Sequence, residues 1–279
     1  LQGVGLYRTE YLFLDRAKMP DLEEQQKEYE EVFDLLNGKE LVIRTLDIGG
    51  DKTLPYFTLP KEDNPFLGER ALRLCFSHPE ILQIQLRAAI RASAYGRLQI
   101  MFPMVGSLED IRKAQNIVRE TMRELDARGM EYDNDIKIGV MIEVPSLAIM
   151  ADLVAKEVDF ASIGSNDLTQ YVCAADRMNA VMEPYYQTYS PAMLRLLEFV
   201  FSSFNKQNKP ISVCGEMAGS PKGAALLAGL GSRKLSMNYA MLAAVKAELS
   251  RHTMRELEEM AEKCKGFCTE SEIVKLMGL

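Results

Sequence analysis

Ile-Lys-Ile-Gly-Val-Met-Ile-Glu, residues 136–143, is a short apolar run that stops on a carboxylate and meets Pro145 two residues later. Six similar runs occur at Val4–Arg8, Leu41–Thr45, Leu98–Phe102, Phe160–Gly164, Ile211–Cys214 and Lys234–Met237. Most are continuous rather than alternating, the pattern of strands covered on both faces. Between them lie amphipathic stretches. Leu22–Leu36 places Tyr29, Val32, Phe33 and Leu36 at helical spacing, and His78–Tyr95 and Leu108–Arg128 behave alike. Pro191–Lys206 follows Ser190, an N-cap residue with proline at the first helical position. Thr253–Leu279 reads as two helices broken at Gly266–Phe267.

Strands alternating with helices predict an α/β fold with a parallel sheet. Seven strands are one short of a closed (β/α)8 TIM barrel, and the chain enters a strand after only Leu1–Gly3. Either one strand escapes the pattern or the first lies upstream. Nothing resembling a linker divides the chain. Glu131–Asp135 is short, and Asp51–Pro65 is the longest proline-bearing loop, so residues 1–279 are expected to form a single domain.

Composition narrows the function. The 279 residues are 47% hydrophobic and 26% charged, ordinary for a globular chain. No apolar run approaches the roughly 18 residues of a membrane span, so no membrane insertion is expected. A net charge of −7, from 33 basic and 40 acidic residues, argues against a nucleic-acid partner, which needs a broad basic surface. A small anion needs only a few local cations. Five scattered cysteines without a leader read as a reduced, cytoplasmic chain. Cys75 and Cys173 lie in helical apolar patterns and are expected in the core. Cys264 and Cys268 stand four apart in a helical stretch and are read as surface or packing residues. His78 opens a helix at Ser77-His78-Pro79-Glu80 and His252 sits near a helix end, so both are read as structural.

In folds of this kind the chemistry gathers at the carboxyl ends of the strands. Arg8, Thr9 and Glu10 end the first. Arg44 stands in the second, followed by Asp47, Gly49, Gly50, Asp51 and Lys52. Glu143 ends the fourth, Gly164-Ser165-Asn166-Asp167 the fifth with Arg177 ten residues on, and Cys214-Gly215-Glu216 the sixth. A lone arginine near a strand end is commonly a structural ion pair. Two arginines, a lysine and two acids around one rim are harder to explain by packing, because each such charge must be paired or liganded. The set suits a phosphate and carboxylate ligand bridged by a hard cation. Arginine forks match phosphate oxygens, and Glu143 with Asp167 could anchor Mg²⁺. Cys214 has two readings, a buried strand cysteine or a proton donor at the rim.

These residues also carry a resemblance. Gly-Val-Gly-Leu-Tyr-Arg-Thr-Glu (3–10), Ile-Arg-Thr-Leu-Asp-Ile-Gly-Gly-Asp-Lys (43–52), Asn-Pro-Phe-Leu-Gly-Glu-Arg-Ala-Leu-Arg (64–73), Met-Phe-Pro-Met (101–104), Val-Met-Ile-Glu-Val-Pro (140–145), Ser-Ile-Gly-Ser-Asn-Asp-Leu-Thr-Gln-Tyr (162–171) and Cys-Gly-Glu-Met-Ala-Gly (214–219) resemble, in order and in register, the enzyme I family of the bacterial sugar phosphotransferase system. Ala161 stands where that family usually has a larger apolar residue.

The resemblance implies the phosphoenolpyruvate-binding barrel of that family, with its first strand and helix upstream of Leu1. It implies that Arg8, Arg44 and Arg177 hold the phosphoryl group of phosphoenolpyruvate. Asn166 and the backbone around Asp167 would help bind the substrate, with Lys52 and Arg70 in second rank. Glu143 and Asp167 would ligate Mg²⁺, and Cys214 would protonate C3 of the enolate as pyruvate forms. It implies a homodimer whose phosphoryl group passes to a histidine of an N-terminal domain and thence to the histidine phosphocarrier protein. Neither His78 nor His252 lies in a segment like that acceptor, so this chain is not expected to complete a turnover alone. Two alternatives remain: the same domain of a pyruvate phosphate dikinase or phosphoenolpyruvate synthase, and a non-catalytic barrel binding a carboxylate metabolite.

Overall fold

The apolar runs form strands where their continuity predicts. The computed structural model describes residues 3–14, 16–49, 54–57 and 59–279. Its strands are β1 (Gly3–Arg8), β2 (Glu40–Arg44), β3 (Leu98–Phe102), β4 (Lys137–Ile142), β5 (Phe160–Gly164), β6 (Ile211–Cys214) and β7 (Lys234–Leu235). β1 to β4 pair in parallel in sequence order, and so do β5, β6 and β7. The sheet among the described residues is seven-stranded, in the order β1-β2-β3-β4-β5-β6-β7. This sequential parallel order, with helices in the connections, is the α/β topology of a (β/α) barrel.

Differences from the sequence pattern fall at strand ends. β2 stops at Arg44 rather than Thr45, and β7 at Leu235 rather than Met237. Single backbone bonds still continue the ladder there. Thr45 N–H donates to Met101 O at 3.0 Å, and Ser236 N–H to Val213 O at 2.8 Å.

The chain divides into two compact units, Leu1–Val140 and Met141–Leu279. In the first, the Leu22–Leu36 helix starts at a capping box between Asp21 and Glu24 and turns Tyr29 and Phe33 inward. The helix expected from His78 starts at Pro79, whose fixed φ suits the first helical position, and runs to Ala92 before a 3₁₀ turn at Ser93–Tyr95. It buries Ile81, Leu82, Leu86 and Ile90. Each such side chain contributes about 1.5–3 kcal/mol on full burial, before its ordering entropy.

In the second unit, Ser190 caps the Pro191–Lys206 helix by accepting from Met193 N–H. The C-terminal break falls as predicted, between Met254–Lys265 and Glu270–Met277. Leu257 of the former packs on Ala225 and Ala228.

Two cysteine expectations need correction. Cys173 is only half-buried, its thiol on the Gln187 carbonyl at 3.7 Å, because it ends its helix beside a polar loop. Cys264 is buried, but Cys268 lies past the end of that helix, where its N–H bonds Glu272, so the two share no helical face. No helix among the described residues is long and apolar enough to cross a membrane.

Candidate active site

In the first unit, register brings two arginines together. The end of β1 pairs with the end of β2 so that Arg8 and Arg44 are direct neighbours. Arg8 is exposed, whereas Arg44 is buried. Arg44 bonds the Glu10 carboxylate through Nη2, and its Nη1 stands 3.3 Å from Asp47. Thr9 Oγ1 donates to the Arg44 carbonyl at 2.9 Å, tying the turn after β1 to the end of β2. The Arg70 guanidinium is buried too, and grips Asp47 two-pronged, Nε to Oδ1 at 2.8 Å and Nη2 to Oδ2 at 3.0 Å. One carboxylate therefore meets two arginines, and its two-pronged contact with Arg70 is the geometry in which guanidinium forks are strongest.

The backbone is shaped around this cluster. Gly49 has φ +107, and a Cβ there would stand 2.7 Å from the Glu69 carbonyl and 2.9 Å from Arg70 Cα. Glycine thus lets the Asp47 turn close on Arg70. Ala71 takes φ +53 and ψ −120, a conformation that costs about 1–3 kcal/mol, and its N–H bonds the Ile48 carbonyl at 2.9 Å. Gln85, buried on the Pro79–Ala92 helix, accepts from Leu46 N–H at 2.8 Å. Lys52 lies outside the described residues.

The second unit gathers the rest. Glu143 is fully buried just beyond β4. Its carboxylate occupies the space a side chain at Gly164 would fill, because a Cβ there would meet Glu143 Oε2 at 2.6 Å. Gly164 ends β5 and pairs with Cys214 of β6. The Ser165–Cys173 helix follows at once and puts Asp167 in its first turn, where a carboxylate suits the positive end of the helix. Arg177 Nη1 stands 3.4 Å from Asp167 Oδ1. Its backbone N–H donates to Gln170 Oε1 at 3.2 Å.

Cys214 is buried, with its thiol on the Ile163 carbonyl at 3.4 Å, while its own carbonyl accepts from Ser165 Oγ at 2.8 Å. Gly215 turns the chain sharply at φ +99, and a Cβ there would stand 2.8 Å from Asn166 Oδ1. That room lets Asn166 Oδ1 accept Glu216 N–H at 3.1 Å. Tyr186 donates its phenol to the Asn166 carbonyl at 2.9 Å. Burial pushes that phenol up to about 12 although Arg177 pulls the other way, so it remains a donor at physiological pH.

Each unit thus collects its share of the residues expected at the strand ends. Sequence reasoning had placed Glu10 and Asp47 at the strand ends without a role, and missed Gln85 and Tyr186. Gln85 interrupts the apolar face of its helix, a readable sign of a buried polar contact. Tyr186 lies in a polar loop with no periodic signal.

The donor set fits a hard divalent cation. Among the described residues no three His, Cys, Asp or Glu side chains gather where they could hold a metal ion. Mg²⁺ does not require three, since one or two carboxylates suffice when substrate oxygens and water complete its shell. Glu143, cradled over Gly164, and Asp167, three residues further on, are two carboxylates of that kind.

A profile described as PEP-utilising enzyme, PEP-binding domain, matches residues 1–254. The chain is 47% identical over 276 residues to the phosphoenolpyruvate-protein phosphotransferase of Staphylococcus epidermidis, covering 99% of this chain and 48% of that protein. The protein of the same name from Listeria monocytogenes is 46% identical over the same shares. This chain therefore spans about half the length of the curated relatives it matches. Among solved structures, an HpcH/Hpal aldolase/citrate lyase family protein of Burkholderia cenocepacia aligns over 83% of this chain and 80% of its own, at 13% identity and a TM-score of 0.49.

Proposed function

We propose, from the premise that the chain belongs to the PEP-utilising enzymes through their PEP-binding domain, that it binds phosphoenolpyruvate with Mg²⁺ and gives up the phosphoryl group to a histidine outside residues 1–279. The observation that carries this reading is the end of β6. The Cys214 thiol lies beside the end of β5, next to a turn whose Asn166 amide is braced by Glu216 N–H.

Asn166 Oδ1 accepts an N–H, so its amide nitrogen is left to donate, as a ligand oxyanion requires. Glu143 and Asp167 would hold Mg²⁺, which supplies charge neutralisation to phosphoryl oxygens when bound. Arg8, Arg44 and Arg177 are assigned to the phosphoryl group by sequence resemblance. Lys52 and Arg70 are assigned by the same resemblance to second rank, and the grip on Asp47 gives Arg70 a supporting task. When the P–O bond breaks, the electron pair stays on the enolate. The Cys214 thiol delivers its proton to C3 and is left as thiolate, and pyruvate forms.

The same reading makes residues 1–279 one barrel domain of a cytoplasmic, homodimeric phosphoenolpyruvate–protein phosphotransferase. Its partners are its own N-terminal phosphohistidine domain and, through that, the histidine phosphocarrier protein of sugar transport. The decisive assay mixes this chain with an N-terminal domain bearing the acceptor histidine, phosphoenolpyruvate and Mg²⁺, and follows phosphohistidine. Its formation supports the reading, and its absence with a competent acceptor overturns it.

A narrower measurement tests the metal assignment. Glu143→Gln keeps the shape and removes the charge, so Mg²⁺ affinity by titration should fall at least about tenfold, the loss typical even of outer-shell partners. An unchanged affinity would remove Glu143 from the ligand set.

A further inference from the structure

Asn166 sits in a turn held from several sides. Its side-chain oxygen takes Glu216 N–H, its neighbour Ser165 bonds the Cys214 carbonyl, and its own carbonyl takes the Tyr186 hydroxyl at 2.9 Å. The first two ties come from the end of β6 and the turn just after it. The third comes from a loop that follows the 3₁₀ turn Ala180–Tyr185.

That loop is anchored in turn. Tyr189 N–H donates to Glu270 Oε1 at 2.7 Å, and Ser190 N–H to the Gln187 carbonyl at 3.3 Å. Glu270 is the first residue of the C-terminal helix, whose start is fixed by the reciprocal bonds of Thr269 and Glu272. This helix lies beyond residues 1–254, the part the family profile matches. The short stretch of chain from Tyr186 to Tyr189 is therefore tied at one end to the carbonyl of Asn166 and at the other to the C-terminal helix.

We propose that Tyr186 is a positioning residue for the ligand-binding amide of Asn166, and that the Glu270 carboxylate anchors the Tyr186–Tyr189 segment that carries it. This rests on the phosphoenolpyruvate-binding reading and deepens it. Tyr186 touches the Asn166 backbone rather than the ligand, so it acts by fixing where the amide points. Glu270 accepts a single backbone N–H for which the loop needs an oxygen, not a charge. A glutamine at position 270 retains that oxygen and an alanine does not.

The test uses this chain, phosphoenolpyruvate with Mg²⁺ by calorimetry, and the Asn166 side-chain amide followed by nitrogen-15 NMR. The Asn166 resonance is identified by its loss in Asn166→Ala. Tyr186→Phe removes one hydroxyl and should weaken binding about three- to tenfold, the range of a single hydrogen bond, while shifting that resonance. Glu270→Ala should do the same, and Glu270→Gln should restore both readouts towards the unaltered chain. Binding by the unaltered chain with no loss and no shift in Tyr186→Phe overturns this inference alone. Glu270→Gln behaving as Glu270→Ala overturns the anchoring role. An unaltered chain that does not bind phosphoenolpyruvate overturns the functional reading and this inference with it.

Discussion

Arg44→Ala is expected to abolish phosphoenolpyruvate binding, a loss of at least about a hundredfold, and to destabilise the fold at the same time. The Arg44 guanidinium is buried between Glu10 and Asp47. Removing it takes a buried positive charge from beside Glu10 and leaves Asp47 with the Arg70 fork where it had two guanidinium groups. Breaking a buried pair in this way costs about 3–5 kcal/mol, a large part of the stability of an ordinary domain. The binding loss has a separate cause, because a phosphoryl oxygen would lose a charge-assisted donor in a poorly hydrated place.

Arg44→Lys separates the two effects. It keeps the charge, so thermal unfolding should recover part of the loss. It cannot reproduce a planar fork that spans two carboxylates and, on the proposed reading, would also meet a phosphoryl oxygen, so calorimetry should still show weak binding. Unchanged affinity in either variant would remove Arg44 from the phosphoryl site. Arg70 makes the contrast sharper. Its fork is turned on Asp47, so substitution there should act first on stability and only through Asp47 on binding.

Cys214→Ala is expected to leave phosphoenolpyruvate affinity within about twofold and to lower pyruvate release by about a hundredfold or more, the usual worth of a positioned proton donor. The thiol's hydrogen bond to the Ile163 carbonyl is a weak one, and its loss should cost little stability. The turn beyond it is held by other atoms: the Cys214 carbonyl with Ser165, and Glu216 N–H with Asn166. Binding geometry should therefore survive the substitution. With the phosphohistidine domain supplied separately, phosphoryl transfer would leave an enolate lacking its donor. Normal pyruvate release would exclude Cys214 from that role.

The contrast between Arg44 and Cys214 shows how far the residues could be read in advance. That both stand at strand ends follows from the runs Leu41–Thr45 and Ile211–Cys214. Which of them is also a keystone of packing does not. Cys214 ends a four-residue buried strand as a buried cysteine in a core would. Arg44 is held by Glu10 from the turn after the neighbouring strand, 34 residues away. Only the parallel register Arg8↔Arg44 puts that turn beside it. The cluster around Asp47 likewise needs Arg70, brought in by the strained backbone at Ala71 and the close approach at Gly49.

Tyr186 marks the other limit. Strands and helices announce themselves because burying a face imposes a period on the apolar residues. A loop tyrosine that donates one bond to a carbonyl 20 residues away imposes none.

From the sequence alone came the α/β class, the order of strands and helices, and the strand-end positions of Arg8, Arg44, Glu143, Asn166, Asp167 and Cys214, because hydrophobic period and chain order are local properties of the residues. The tertiary structure alone decided which charges face one another: Arg44 on Glu10, two arginines on Asp47, Asn166 braced by Glu216 and Tyr186. Those pairings are set by register, by backbone turns that only a missing Cβ permits, and by the requirement that every buried charge meet its opposite.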